Sequence, residues 1–325
     1  MASFGVDGAD LADTAPADDG LALRYYQLTS ADGTKIQAWT NDAEGPVVLL
    51  CNGLGTNPYA WPALLDKDCG VRVISWNHRG VGGSERPSDP SRVGVTEFVE
   101  DALAVLDDAD VDSCVVAGWS FGVNTAFELA TMHPTRVSGL FAVAGVPGGT
   151  FSSMGAPLMI PRIARRPIAL GVMRTLGKAG RAIHPFTSRL PLGPVSGQLL
   201  THSGFMLPVQ DTAPVRRAVK SFLQTPVDWY MHLARAAAEH PRVSLRTVDV
   251  PTTFVAGRHD ILASANDMAS AATRIPGAEY VVLRGSHFLQ FEHPEEVHAR
   301  LLELVDRVQG APPERTSRRL GPLQD

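Results

Sequence analysis

Apolar positions along the chain fall into short runs separated by longer amphipathic stretches. Leu23–Thr29 and Lys35–Thr40 read as two strands joined around Asp32-Gly33, a pair that suits a tight hairpin turn. Val47–Cys51, Val71–Trp76, Cys114–Ala117 and Leu140–Ala144 are continuous and rich in β-branched residues, as strands buried on both faces are. Thr252–Ala256 and Tyr280–Leu283 resume that pattern late in the chain. Helical spacing is predicted over Val95–Leu106, Val123–Met132 and Pro294–Val308, the last with proline in its first turn. Strand–helix alternation of this kind predicts an α/β fold: a mostly parallel, eight-stranded sheet with helices on both faces.

The rhythm breaks between residues 146 and 245. A stretch of about 100 residues is too long for a loop, so it is expected to form a helical cap inserted into a core made of residues 21–145 and 246–308. Residues 1–20 and 309–325 read as flexible tails, the first of them acidic. Within the cap, Val172, Leu176, Ala179 and Ile183 recur at helical spacing, with Arg174, Lys178 and Arg181 on the opposite face. Phe151, Met154, Met159, Phe205, Trp229 and Tyr230 supply cap core and apolar pocket lining between them.

Charge sharpens the picture. The net charge of −5 argues against nucleic acid as a partner, since phosphate binding needs a clear basic excess. That figure conceals a reversal: residues 129–210 contain eight Lys and Arg and not one Asp or Glu. Such a surface reads either as a solvated basic face or as an attractor for an anionic substrate, carrier or lipid surface, which would make the cap a peripheral contact. The acidic N-terminal stretch lacks the positive start of a secretory signal, and no apolar run is long enough to span a bilayer. Three scattered cysteines (Cys51, Cys69, Cys114) suit neither a disulfide framework nor a zinc site and read as packing residues. A cytoplasmic protein is the expectation.

Candidate chemistry is concentrated in three turns. Gly118-Trp119-Ser120-Phe121-Gly122 sits between a strand and a helix, the context in which a serine is held at the tip of a sharp turn with small residues two positions away on either side. A serine hydroxyl needs a base, and the base an orienting acid. Asp260 follows one late strand in Gly257-Arg258-His259-Asp260, and His287 follows the last in Gly285-Ser286-His287-Phe288. His259 adjoins the acid and is expected to point away from the pocket. Asp249 precedes its strand and so lies at the wrong sheet edge. His78, His133, His293 and His298 read as solvated.

The order Ser, Asp, His, with these turns, resembles the α/β-hydrolase family over residues 23–308. Asn52-Gly53-Leu54-Gly55 matches the family's oxyanion segment, with Asn52 where histidine is usual. Arg79-Gly80-Val81-Gly82-Gly83-Ser84 matches its Arg-Gly-x-Gly-x-Ser loop. The resemblance implies a triad of Ser120, His287 and Asp260, oxyanion donors on the backbones of Leu54 and Phe121, and substrate contacts from Asn52, Gly53, Trp119 and Trp229. It implies no cofactor and no metal. Members that open epoxides or remove halogens use a carboxylate nucleophile, whereas Ser120 implies a small-molecule ester or lactone with an apolar acyl part. Cleavage of a diketone C–C bond, acyl transfer to an alcohol, and slow-turnover ligand reception remain open on the same residues.

Overall fold

The computed structural model describes residues 21–149, 161–203, 205–241 and 243–310. Most of both expected tails, together with Phe151, Met154 and Met159, lies outside the described residues. The strands are β1 (Arg24–Thr29), β2 (Lys35–Thr40), β3 (Val47–Cys51), β4 (Arg72–Trp76), β5 (Cys114–Trp119), β6 (Val137–Val143), β7 (Thr252–Gly257) and β8 (Glu279–Leu283). They form one sheet in the order β1-β2-β4-β3-β5-β6-β7-β8. β2 runs antiparallel to both β1 and β4, and every pairing from β4 to β8 is parallel. The helices are α1 (Val95–Asp108), α2 (Gly122–Met132), α3 (Arg162–Thr187), α4 (Pro194–Thr201), α5 (Ala213–Phe222), α6 (Val227–Glu239), α7 (Ala265–Ala272), α8 (Leu289–Glu292) and α9 (Pro294–Gln309).

Period-2 alternation explains why the central strands are apolar throughout. Leu49 and Cys51 of β3 face one core with Ile74, Val116 and Phe98, while Val48 and Leu50 face a second with Val73, Val115 and Leu301. α1 and α2 cover the first face and α9 the second. All three cysteines are free and buried. Two strands outrun the apolar runs that predicted them. β6 begins at Val137, directly after the proline-led turn Pro134–Arg136, and β5 reaches Trp119, so the sheet delivers the chain to residue 120 without slack.

A buried ion pair ties the antiparallel edge to the helical layer. The Arg79 guanidinium, with no exposed side-chain surface, lies 2.8 Å from Asp101, which is equally buried, and 2.5 Å from Asp32 in the β1–β2 turn. Ser30 donates its hydroxyl to Asp101 at 2.6 Å, and Arg92 bridges Asp32 to Glu100. Partial burial works against the charge on Asp32. Hydrogen bonds from Thr34 and Arg92, with the Arg79 charge, nevertheless hold this carboxyl well below its usual range.

Helices α3 to α6 occupy the interlude and form the cap. α3 packs against α6, but not through the aliphatic stripe that its spacing predicts. Ala169, Met173 and Gly180 are the buried positions, whereas Val172 remains 53% exposed. The reason is steric: a Cβ on Gly180 would strike the Asp228 backbone, so the small residues let α6 approach and the branched ones turn aside. Trp229 of α6 reaches into the sheet domain, where its indole N–H donates to the Arg79 carbonyl at 2.9 Å under the Arg86 guanidinium.

His78 departs from its expected solvation. It is buried with its ring 4.6 Å from that of Phe98, and Nδ1 has no partner. Burial pushes its pKa down to about 4. The unfolded chain takes up that proton near pH 6.5. The stability held by neutral His78 is therefore complete above about pH 6.5 and falls as the pH drops toward 4, by roughly 1.4 kcal/mol per pH unit. Urea unfolding at several pH values should show this slope in the wild type and a shallower one in His78→Leu. Asp101→Asn, which leaves the Arg79 charge buried beside a weaker partner, should cost about 3 kcal/mol at pH 7, read as a shift in urea midpoint.

Candidate active site

Ser120 stands at the junction of β5 and α2 with φ of +55°, a left-handed conformation unusual for a residue with a side chain. Its neighbours make the turn sterically attainable. A Cβ on Gly122 would overlap the Cys51 carbonyl, and one on Gly118 would lie 2.7 Å from the Cα of Val123. The Ser120 N–H donates to the Val143 carbonyl at 3.0 Å, fixing the turn to the end of β6. The hydroxyl is thereby projected above the carboxyl edge of the sheet, at the amino end of α2.

The other two turns meet it there. His287 Nε2 lies 2.7 Å from Ser120 Oγ, and Nδ1 lies 2.8 Å from Asp260 Oδ2. Asp260 is buried and accepts the Leu262 and Ala263 backbone N–H groups at 2.7 and 2.8 Å through Oδ1. That leaves Oδ2 for the imidazole. Trp119 donates its indole N–H to the His287 carbonyl at 3.0 Å and lays its ring 5.8 Å from the imidazole. With Nδ1–H directed to the carboxylate, Nε2 is free to accept the serine proton. His259 and Asp249 are exposed, as their places in the sequence predict.

Leu54 and Phe121 line the space over Ser120, and neither backbone N–H has an acceptor among the described residues. Two unpaired donors beside a serine hydroxyl suit a developing oxyanion. Above them a cavity of about 700 Å³ extends under the cap, lined by Gly53, Trp119, Met173, Phe222 and Tyr230 among other, mostly apolar residues. Two residues expected to touch substrate do not line it. Asn52 is buried, with its amide donating to the Asn57 carbonyl and its Oδ1 accepting from Gly53 N–H and Trp61. Trp229 is held by Arg79, and its neighbour Tyr230 faces the cavity instead. Among the described residues, no group of three His, Cys, Asp or Glu side chains is arranged to hold a metal.

Glu292 gave no signal in the sequence. Its carboxylate accepts the backbone N–H and hydroxyl of Ser286, both at 2.6 Å, and the Leu207 N–H of the cap at 2.7 Å. It thus clamps the turn that carries His287 to the cap segment of Phe205 and Met206. No spacing rule links positions 207, 286 and 292; only the fold does.

The geometry makes the two carboxylates Asp260 and Asp249 separable. In Asp260→Asn, Oδ1 would keep its two backbone bonds and the new amide would face Nδ1, imposing the wrong tautomer on His287. Turnover of any substrate attacked by Ser120 should fall on the order of 10⁴-fold, while Asp249→Asn stays within about threefold of wild type. Equal losses in steady-state kcat would mean that Asp260 does not orient the base.

The family model described as alpha/beta hydrolase fold matches residues 46–169. Over 312 residues, covering 86% of this chain and 96% of the relative, the sequence is 24% identical to epoxide hydrolase A of Mycobacterium tuberculosis. Among solved structures, the enol-lactonase of Burkholderia xenovorans superposes with a TM-score of 0.65 at 20% identity, covering 86% of this chain and 99% of its own. An esterase of Exiguobacterium antarcticum gives 0.65 at 18% identity, covering 87% and 100%. With the sheet order, the sharp turn at Ser120 and these likenesses together, the chain has the α/β-hydrolase fold.

Proposed function

We propose that this hydrolase cleaves a carboxylic ester or lactone with an apolar acyl part, through an acyl-enzyme on Ser120. The observation that carries the reading is the 2.7 Å approach of His287 Nε2 to a strained serine beneath two unpaired backbone N–H groups. As Ser120 Oγ attacks the carbonyl carbon, His287 takes its proton and Asp260 stabilises the imidazolium. The oxyanion points at the N–H groups of Leu54 and Phe121. When the tetrahedral adduct collapses, the C–O bond to the alcohol breaks and His287 returns the proton to it. Water, deprotonated by the same imidazole, then attacks the acyl-enzyme and releases the acid.

The nucleophile speaks against carrying over the activity of the epoxide-hydrolase relative. Opening an epoxide with a serine oxygen would leave an ether on the enzyme, which water does not cleave. A carboxylate nucleophile would leave an ester, which water does. The acyl-enzyme of an ester or lactone is hydrolysable from Ser120.

Cavity volume sets the scale of the acyl group. At roughly 30 Å³ for each water-sized group, 700 Å³ takes an acyl chain or ring system of about twenty carbons. For p-nitrophenyl esters, kcat/KM should climb by up to about fourfold per added methylene until the cavity is filled. A fluorophosphonate should label the wild type at Ser120. Ser120→Ala should abolish labelling and lower kcat by on the order of 10³-fold or more. Labelling at another serine, or a profile indifferent to chain length, would sink the proposal.

A further inference from the structure

The sides of α3 differ in chemistry. Ala169, Met173 and Gly180 face inward, against α6 and the core. About 100° per residue round the helix, Ile168, Val172 and Leu176 line the cavity and yet remain exposed, Ile168 by 51% and Leu176 by 36%. They form the lip of the opening. Arg174, Lys178 and Arg181 are exposed on the side away from that lip. Arg181 lies 3.4 Å from Asp228, while Arg174 and Lys178 have no carboxylate within 4 Å among the described residues.

The C-terminal end of α3 and the chain beyond it add further exposed apolar side chains. Phe186 and Leu190 are exposed, and in α4 so are Val195 and Leu199, one helical turn apart. Not one acid lies between residues 129 and 210. A soluble protein gains nothing from large aliphatic side chains in water beside an apolar opening, and cations alone would serve an acidic protein or a small anion equally well. Both together fit a bilayer: aliphatic groups enter the acyl region while Arg and Lys meet anionic headgroups.

We infer that the cap docks the mouth of the cavity onto an anionic lipid surface, from which the apolar acyl substrate enters. The docking half of this stands on the surface alone; the entry half rests on the ester or lactone reading above. Binding is therefore measured on the full chain carrying Ser120→Ala, which cannot turn over whatever the true reaction.

The probe is a pair of sucrose-loaded vesicles, phosphatidylcholine alone and phosphatidylcholine with 30 mol% phosphatidylglycerol, sedimented at low salt. The protein should sediment with the anionic vesicles at least tenfold more strongly than with the neutral ones, and 0.5 M NaCl should release most of it. Arg174→Glu, Lys178→Glu and Arg181→Glu together should weaken that binding on the order of 10²-fold. Exchange of the same three for the other basic residue (Lys, Arg, Lys) should preserve it, which guards against a loss that is merely misfolding. Val195→Ser with Leu199→Ser should weaken binding at low and high salt alike. Equal sedimentation with both vesicles, or with neither, would overturn the inference. So would charge-dependent binding to a small acidic protein without binding to the anionic vesicles.

Discussion

The contact on which the site depends is the approach of α2 to the end of β3, where Gly122 lies so close to the Cys51 carbonyl that no side chain fits between them. That approach lets the chain turn back from β5 within one residue, and Ser120 takes up the turn in a left-handed conformation. It also brings Leu54, just beyond β3, beside Phe121, just before α2. Serine and both unpaired N–H groups are thus set by one backbone crossing. The histidine and its acid come from the ends of β8 and β7, elements whose places are fixed by sheet register alone.

A second level of order joins the cap to this frame. The buried Arg79 is held from three sides by Asp101, Asp32 and Ser30, and its own carbonyl receives Trp229 from α6. A charge that would be expensive to bury alone is stabilised by the turn and helix that it joins. In return it presents a rigid acceptor on which a cap helix is hung. On the opposite side, Glu292 connects Leu207 to the turn bearing His287. The cap is therefore tied to the sheet domain by polar contacts at several places, among them the Asn57 amide donating to the Ala218 carbonyl at 2.9 Å and His232 Nε2 lying 2.7 Å from the Pro90 carbonyl.

Much of this was legible in the sequence because it depends on local pattern. Apolar runs located all eight strands, and glycine spacing around Ser120 identified a turn that only glycine permits at its flanks. Asp260 and His287 could be read from their positions just after strands. What escaped depended on distance along the chain or on packing detail. Asn52 sits in a segment that otherwise lines the site, yet its amide is consumed by Asn57, Gly53 and Trp61. His78 looked like a loop residue beside Arg79, and its burial follows from the fold of Phe98 over it. The α3 stripe misled because helical periodicity marks apolar faces without saying whether a helix or a cavity lies opposite. Here the glycines took the helix contact and the aliphatics the cavity.

The cap leaves the sheet after β6 and returns at β7, and these two strands are hydrogen-bonded neighbours. All of α3 to α6 thus stands where a single crossover helix would serve. Nothing in the register of the sheet records how long that excursion is or what it contains. Ser120, Asp260 and His287 all come from outside it, as do Leu54 and Phe121. The helices that shape the cavity are in this sense a separate layer: they supply the walls, and through Leu207 and Glu292 a brace on the His287 turn, but none of the side chains that meet at Ser120.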